Sequence, residues 1–473
     1  MTEVDVIIVG AGAAGLVAAF RAAELGKRTL LLEKNRRPGV KILMSGGTRC
    51  NITQATDNRG IALAYGPPGR FLHSALAALS VQDSIGLFEA EGVKTKVEET
   101  GKVFPVSNKA SDVLEALLAR LHRSGAELAL EEPVTHVVHS LRECTSDSQS
   151  ESATITADSQ GASQGPTEHS RSECSTFQLT TPTRTLQTPR LILTTGGKSY
   201  PGSGTTGDGY QWAASLGHTI VPPRPALTPL TTSAAWVLAL KGITLPDVTL
   251  TILGGGKKLA SRKSSLLFAH FGLTGPAALD VSRVVSGHPQ PSSLTAEIDL
   301  LPDENEAQLG ERLRRELAAS GKKNIATIVA SLVPQRLAET LLILANTPAD
   351  RRAAEISKLE RGRLVRLLKH LPVPLSGTLG FGKAEVTAGG IALSEVDSRT
   401  MQSKLVPGLY FAGEILDLDG PIGGYNFQAA WSTGWLAGSS AAAGHSSELR
   451  RAGGVSPLIS RVPGSGERGA SAP

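Results

Sequence analysis

Residues 4–33 read VDVIIVGAGAAGLVAAFRAAELGKRTLLLE, and this stretch decides the fold of the chain. Residues 4–9 form a short apolar run, as expected of a parallel strand that is buried on both faces. The run ends at the glycines of residues 10–15, a helical stretch follows, and residues 27–32 form a second apolar strand that ends at Glu33. Strand, glycine-rich turn, helix, strand and acid in this order predict a βαβ unit that binds a dinucleotide.

The glycines of this turn have separate physical tasks. Gly10 permits the tight turn, Gly12 lets the backbone approach a pyrophosphate, and Gly15 lets the helix pack against the strand. The helix N-terminus adds free N–H groups and a positive dipole for the phosphates. Glu33 can accept hydrogen bonds from both adenosine ribose hydroxyls, and its charge would repel a 2′-phosphate, which disfavours NADP at this site. The predicted contacts in this unit are Gly10, Ala11, Gly12, Ala13, Ala14, Gly15, Glu33 and Lys34.

A second strand and a second glycine-led helix start occur much later in the chain. Residues 408–414 read GLYFAGE, an apolar strand that ends in a glycine and Glu414, and residues 423–428 read GGYNFQ and open a helix. Glu414 would accept a ribityl hydroxyl, and the N–H groups of residues 424–426 would face the flavin N1/O2 edge, where negative charge develops on reduction. NAD needs no such second contact, so the predicted cofactor is FAD. The predicted contacts here are Gly413, Glu414, Gly423, Gly424, Tyr425, Asn426 and Phe427.

Five stretches of the chain resemble one family of flavoproteins. They are residues 39–51 (GVKILMSGGTRCN), 195–201 (TGGKSYP), 206–210 (TGDGY), 270–276 (HFGLTGP) and 414–428. On these motifs the chain is similar to the BaiN/YhiN-type flavoproteins, NAD(P)/FAD-dependent oxidoreductases that include aminoacetone-oxidase-like FAD-binding proteins. The resemblance spans nearly the whole chain apart from a serine-rich insert and the C-terminal tail. Thr48 replaces the third glycine of the Gly-Gly-Gly-Arg-Cys-Asn loop that is usual in the family, which tightens that turn.

The resemblance implies further flavin contacts. In related flavoproteins a glycine-rich loop after the second strand runs past the pyrophosphate and the ring. Lys41 in this loop is either near the phosphates or flavin or a solvated lysine. Val134 would present its backbone to the adenine, although it could equally be an ordinary sheet residue. The implied contacts are Lys41, Ser45, Gly46, Thr48, Cys50, Asn51, Val134, Thr195 and Gly196.

Three residues are candidates for catalysis beside the flavin. Cys50 follows the glycine-rich loop, and its alternative role is that of a small buried hydrophobe. His270 ends an apolar strand and is either a general acid in the pocket or a structural histidine that satisfies backbone groups. Tyr425 opens the second glycine-led helix and could donate a proton to a substrate carbon or oxygen, with core packing as its alternative.

Composition and charge narrow the class of protein. The chain has 473 residues, of which 40% are hydrophobic, and a formal net charge of +5. The insert of residues 143–176 carries −5, so the remainder carries about +10, which could attract an anionic substrate or NAD(P)H, but ordinary solvated surface accounts for most of it. An apolar run of about 18 residues without glycine is absent from the sequence, so we expect a cytoplasmic protein with no membrane span. The three cysteines form no CxxC pair and the ten histidines show no ligand spacing, so neither a redox dithiol nor a metal site is predicted.

The sequence predicts an α/β protein whose Rossmann-like FAD-binding domain, of the two-dinucleotide-binding-domain flavoprotein type, carries an inserted β-barrel plus helical domain. In the insertion, alternation of apolar residues around the glycines of residues 254–256 indicates a turn between two strands. Low apolar content predicts a disordered insert and a disordered tail. The predicted segments are 1–197 with 379–444 (FAD-binding), 143–176 (disordered insert), 198–378 (barrel and helices, helical at about 301–371) and 445–473 (disordered tail).

These features predict an FAD-dependent oxidoreductase that transfers hydride through flavin N5 to a small-molecule substrate. The resemblance implies reduction of an activated C=C bond, such as that of a 3-oxo-Δ4 enone, with NAD(P)H as a transient donor in the same cleft. An amine oxidase that uses O2 is the first alternative. A flavoprotein that binds RNA and modifies tRNA is the second, motivated by the basic residues of 361–369. Nucleic acid is not an expected partner, because the sequence lacks an RNA-binding module, and the oligomeric state is left open.

Overall fold

The computed structural model of the chain describes residues 4–143 and 173–443. Its strands are β1 (Val6–Val9), β2 (Thr29–Leu32), β3 (Thr53–Gln54), β4 (Thr95–Val97), β5 (Lys102–Pro105), β6 (Glu127–Ala129), β7 (His136–Glu143), β8 (Glu173–Thr180), β9 (Thr185–Thr188), β10 (Leu191–Leu193), β11 (Ile220–Ala226), β12 (Leu230–Thr231), β13 (Thr244–Gly254), β14 (Lys257–Ala269), β15 (Gly272–Thr274), β16 (Leu294–Asp299), β17 (Leu371–Pro374), β18 (Gly377–Thr378), β19 (Val386–Ile391) and β20 (Leu409–Phe411). Its α-helices are α1 (Ala13–Glu24), α2 (Val40–Thr48), α3 (Asn58–Ala64), α4 (His73–Ala78), α5 (Val81–Ala90), α6 (Ala110–Ser124), α7 (Asp208–Ser215), α8 (Ala235–Ala239), α9 (Pro276–Ser286), α10 (Glu306–Ala319), α11 (Ile325–Ala330), α12 (Gln335–Leu344), α13 (Lys358–Lys369) and α14 (Tyr425–Ala443).

A five-stranded parallel sheet, in the order β20-β10-β1-β2-β6, grows from the N-terminal motif. All residues of β1, β2, β10 and β20 are buried, because a parallel sheet is covered on both faces. The chain leaves these strands at Gly10, Glu33, Thr194 and Ala412, so the carboxyl ends of four strands meet at one edge. Ligands bind at this edge in sheets of this type, and the predicted Rossmann-like class is confirmed.

Two helices with small residues cover this sheet. α14 packs so closely on α1 that a Cβ at Gly434 would meet the carbonyl oxygen of Ala14, and one at Gly438 would meet that of Ala18. Glycine at these two positions of α14 therefore sets how near the helices come.

A seven-stranded antiparallel sheet forms the barrel portion, in the order β17-β16-β13-β14-β15-β12-β18. Its edge strands β17 and β18 are separated in the chain by only Leu375 and Ser376, so the sheet must curl until its edges are close. The N–H of Leu375 donates to Leu294 of β16 at 3.2 Å, and the N–H of Ser376 donates to Thr231 of β12 at 2.8 Å. The glycines predicted to form a turn do so, since Gly255 and Gly256 join β13 to β14 with left-handed φ angles of 55° and 75°.

The hydrophobic residues form two main cores. One surrounds the parallel sheet, and the other runs from Leu230 to Leu375, fills the barrel and packs α10 to α13 against it. The second core lies inside the predicted insertion 198–378, and both cores belong to one compact unit that reaches Ala442. The boundaries of the predicted domains stay predictions.

The predicted disordered segments fall largely outside the described residues. β7 and β8 pair up to Glu143 and Glu173, so both ends of the predicted insert are strand, whereas residues 144–172 and the tail 445–473 are not described. Within the described ranges no single helix is long and apolar enough to cross a membrane. One pair of helices bent by 43°, Pro67–Ala78 with Val81–Ala90, is long and apolar enough only when the two are taken together.

Candidate functional site

One cavity of about 710 Å³ opens at the carboxyl edge of the parallel sheet. Its walls come from the strand ends, from the loop around α2 and from the start of α14. Most residues predicted from the sequence line this cavity, although they are spread over more than 400 positions of the chain, between Gly10 and Phe427. The predicted residues in its lining are Gly10, Ala11, Gly12, Ala13, Ala14, Glu33, Lys34, Lys41, Ser45, Gly46, Asn51, Val134, Thr195, Gly196, Gly413, Glu414, Gly423, Gly424, Asn426 and Phe427.

Five predicted residues do not line the cavity. Gly15 packs against the turn, where a Cβ would overlap the carbonyl oxygen of Gly10. Thr48 is exposed with a left-handed φ of 69°, and Cys50 is buried in the core. His270 is exposed between β14 and β15, and the half-buried ring of Tyr425 lies outside the cavity.

In the glycine turn, Gly10 packs against the protein, whereas Gly12 borders open space in the cavity, which forms a cradle for a ligand. Gly10 has a φ of +104°, and a Cβ there would approach the carbonyl oxygen of Thr194 to 2.7 Å. Gly12 has an ordinary φ of −85°, and a Cβ there would have no protein atom within 4 Å. α1 begins directly after Gly12 without a side-chain cap. The start of this helix therefore offers backbone N–H groups and a positive dipole to an anion in the cavity.

The carboxylate of Glu33 is fixed by the same turn. Its Oε2 accepts a hydrogen bond from the N–H of Ala11 at 2.8 Å, and its Oε1 accepts one from the N–H of Asn35 at 2.9 Å. Each oxygen keeps a lone pair for a ligand hydroxyl. The neighbouring Lys34 forms an ion pair with Asp208 at 2.6 Å.

Lys41 and Glu414 form an ion pair across the middle of the site. Lys41 Nζ lies 2.5 Å from Glu414 Oε2, and Glu414 Oε1 accepts a hydrogen bond from the N–H of Thr387 at 3.0 Å. Lys41 is thus not a freely solvated lysine, because its charge is paired with Glu414. This pair joins α2 to the strand end of β20.

Two buried polar atoms of the lining have no hydrogen-bond partner in the described part of the chain. Asn51 Oδ1 and Thr195 Oγ1 are buried, and neither has a hydrogen-bond partner among the described residues. Buried polar atoms are normally paired, so a ligand that brings donors to these two positions would satisfy them. Together with the open cradle at Gly12, they meet the requirements of a long polar cofactor such as FAD.

Cys50 does not have the properties of a reactive thiol. Its backbone has a left-handed φ of 59°, and its N–H donates to the carbonyl of Ser45 at 3.1 Å. Burial raises the pKa of the Cys50 thiol to about 12, and the hydrogen bond with Ser45 opposes this only in part. The thiol is therefore protonated at neutral pH and packs as a small core residue.

Among the charged lining residues that sequence reasoning missed are Arg49, Lys102, Lys383 and Glu385. Arg49 lies over the ring of Phe104 at 4.0 Å and pairs with Glu98 at 2.7 Å. Lys102 and Lys383 have no ion-pair partner in the described part of the chain. These residues come from separate loops and from β5, so no local pattern could have grouped them.

Asp419 lies next to the lining residue Leu418 and is buried. Burial raises the pKa of Asp419 to about 6, whereas the positive charge of Arg283, whose Nη1 lies 3.2 Å from the carboxylate, lowers it. A carboxyl with a raised pKa in the folded state stabilises the fold at low pH and loses that contribution as the pH rises through its folded pKa.

We therefore expect Asp419→Asn to stabilise the protein above neutral pH, with a gain that is smaller near pH 5 and that disappears only below the usual range of an aspartate, at about 3.9. The gain at about pH 8 should reach up to ~3 kcal/mol, since a shift of about two pKa units corresponds to that free energy. Unfolding by guanidinium at about pH 5 and about pH 8 measures it, with the exposed Asp350→Asn as the control. A difference that is equal at both pH values would contradict this account.

The fold and the site together define a class, the Rossmann-type flavoproteins. The residues 4–440 match the family described as "HI0933-like protein Rossmann domain", and the chain belongs to this family. The BaiN/YhiN resemblance is thereby confirmed, and the protein is an FAD-binding, FAD-dependent oxidoreductase.

Three relatives align with nearly the whole chain. The chain is 36% identical to a ribosomal RNA dihydrouridine synthase of Haemophilus influenzae over 91% of this chain and 96% of that protein. It is 32% identical to a ribosomal RNA dihydrouridine synthase of Escherichia coli over 92% and 97%. It is 29% identical to a 3-dehydro-bile acid delta(4,6)-reductase of Clostridium scindens over 92% and 98%.

Proposed function

We propose that the enzyme reduces a C=C bond conjugated to a carbonyl group, with NAD(P)H as the reductant. One observation carries the proposal: relatives named for different substrates share this reaction. Dihydrouridine is uridine whose C5=C6 bond, conjugated to a carbonyl, has been saturated. A delta(4,6)-reductase of a 3-dehydro-bile acid saturates double bonds conjugated to the 3-oxo group. In an enone this reaction adds a hydride to the β-carbon and a proton to the α-carbon.

We propose the following arrangement of cofactor contacts. Glu33 receives the adenosine ribose, and Gly12 with the N-terminus of α1 receives the pyrophosphate. Glu414 receives the ribityl chain, and the N–H groups after Gly424 stabilise negative charge at the N1/O2 edge of the ring. FAD, when bound, supplies the hydride equivalent. The protein has to bind and orient the substrate, exclude water and deliver a proton.

Uridine in ribosomal RNA is the substrate that the observations support best. The relatives of that name have the higher identities, 36% and 32%. The basic side chains of Arg49, Lys102 and Lys383 in the lining would complement the phosphates of an RNA. This proposal and the sequence-based expectation of no nucleic-acid partner exclude one another. A steroid-like enone is the second candidate, favoured by the relative from Clostridium scindens.

The test supplies the FAD-loaded enzyme with NADH or NADPH under anaerobic conditions and then with a substrate. The substrates are unmodified ribosomal RNA transcribed in vitro and a 3-oxo-Δ4 steroid. We expect bleaching of the flavin by a nicotinamide, reoxidation by the RNA, and dihydrouridine in the nuclease digest by mass spectrometry.

The other outcomes discriminate between the alternatives. If only the steroid reoxidises the flavin, the substrate is a steroid-like enone and not RNA, and the proposed reaction, reduction of a conjugated C=C bond, still holds. Reduction of the flavin by aminoacetone instead of a nicotinamide, followed by rapid reoxidation in air, would overturn the proposal in favour of an amine oxidase.

A further inference from the structure

Reduction of a conjugated C=C bond needs a proton donor beside the α-carbon of the substrate. The three candidates from the sequence, Cys50, His270 and Tyr425, lie outside the lining of the cavity. A donor must reach the substrate within hydrogen-bond distance or through one water. The ionisable residues of the lining itself are therefore the ones to consider.

Most acidic side chains of the lining are held by partners in the protein. A carboxylate that accepts N–H groups or pairs with a cation is stabilised in its charged form and is a poor acid. The held carboxylates are Glu33 with the N–H groups of Ala11 and Asn35, Asp208 with Lys34, Glu414 with Lys41, and Glu132 with Arg184. Glu385 is different, because its carboxyl has no hydrogen bond or ion pair with any residue in the described ranges.

Glu385 lies directly before β19, and its backbone is fixed there. Its N–H donates to the carbonyl of Leu227, another lining residue, at 3.1 Å. The following β19 pairs antiparallel with β11, and all six of its residues are buried. Glu385 is thus held directly beside a buried strand, and it is an exposed residue of the cavity lining.

The neighbours of Glu385 indicate that it lies at the end of the cavity where α14 begins. Charged groups close to it are Lys41 on α2, Lys102 on β5 and Asp280 on α9. Asp280 accepts a hydrogen bond from the N–H of Ile422 at 2.8 Å, and Ile422 directly precedes the glycines that open α14. This is the end at which we place the flavin ring.

Electrostatics agree with this position. Glu385 is exposed to solvent, but desolvation by the protein around its carboxyl raises the pKa above its usual range. The positive charges of Lys41 and Lys102 oppose the rise, and the negative charge of Asp280 adds to it. The carboxyl faces the cavity, so a bound substrate would remove further water and strengthen the effect of burial. An acid with a raised pKa keeps its proton nearer to neutral pH, as a general acid requires.

We propose that Glu385 is the residue that protonates the α-carbon of the substrate. This inference rests on the proposed function, because it presupposes reduction of a conjugated C=C bond. The β-carbon gains the hydride equivalent that originates from NAD(P)H, and the C=C π bond breaks. The O–H bond of Glu385 breaks as the new C–H bond forms at the α-carbon. The resulting carboxylate then takes a proton from water, so atoms and charge balance.

A first experiment needs no substrate. Infrared difference spectra of the apoprotein and the FAD-loaded protein, recorded against pH, detect the C=O band of a protonated carboxyl. We expect a band that persists above the usual titration range of glutamate, at about 4.3, and that loses part of its intensity in Glu385→Gln. Other carboxyls with a raised pKa, such as Asp419, account for the intensity that remains. The control is Glu99→Gln, an exposed residue outside the cavity, which should leave the band unchanged. A band whose intensity is the same in Glu385→Gln as in the wild type would overturn the proposal.

A second experiment separates the two half-reactions. In Glu385→Gln, FAD affinity and reduction by NAD(P)H should equal those of the wild type, while reoxidation by the substrate should slow by about 100-fold or more. Glu385→Asp, which keeps a carboxyl, should recover part of that rate. Reoxidation at the wild-type rate in Glu385→Gln would overturn the donor role. If neither RNA nor steroid reoxidises the wild type, the proposed function fails and the donor role fails with it.

Discussion

Replacing Gly12 by valine is expected to abolish FAD binding and to leave the fold intact. The φ of −85° at this position is allowed for any residue, and a Cβ would meet no protein atom within 4 Å. The added side chain would extend into the cavity at the start of α1, where we place the pyrophosphate. Because the backbone could then no longer approach the phosphates, the Kd for FAD should rise by about 100-fold or more.

Flavin absorbance after gel filtration and titration of the apoprotein with FAD measure this effect. The matched control is Gly310→Val on α10, where an added Cβ is also free of contacts and lies away from the cavity. The control protein should remain yellow. A Gly12→Val protein that binds FAD with unchanged affinity would contradict the proposed position of the pyrophosphate.

Replacing Gly15 by valine is expected to destabilise the protein itself. A Cβ at Gly15 would overlap the carbonyl oxygen of Gly10 and also approach the hydroxyl of Thr194. That hydroxyl donates to the carbonyls of Val9 and Gly10, each at 2.9 Å. The turn and Thr194 therefore hold each other in place, and neither can move aside for an added side chain. Backbone displacement in a packed core costs about 3 kcal/mol or more.

Denaturant unfolding of the apoprotein measures the loss without a contribution from the cofactor. The control is Gly86→Val on the exposed face of α5, which places the same β-branched residue in a helix without a steric overlap. The difference between the two variants isolates the overlap from the change in helix propensity between glycine and valine. Equal unfolding free energies for both variants would show that the turn adapts.

The sequence predicted the parallel sheet because its signals are local. Each of β1, β2, β10 and β20 is a short apolar run with a glycine, a threonine or an acid within three residues of its end, and such runs are visible without tertiary information. The βαβ motif fixes which strands are neighbours, and the carboxyl ends of parallel strands meet at one edge. The residues at those ends consequently line one cavity.

The catalytic candidates could not be predicted in the same way. Cys50 and Tyr425 are neighbours in the chain of residues that line the cavity, yet one side chain turns into the core and the other lies outside the cavity. His270 ends a strand as predicted, but that end is exposed. Proximity in sequence places a residue near a site, whereas the direction of its side chain depends on packing.

The amino-acid sequence by itself determined the class of fold and the cofactor, because glycines, apolar strands and terminal acids act within a few residues of one another. Only the tertiary structure decided that Lys41 pairs with Glu414 and that Glu385 faces the cavity without a partner. Those relations join residues that are far apart in the chain, and they are created by packing of α2, β19 and the end of β20 around one space. Burial and charge, which set the acidity of a side chain, are properties of that packing.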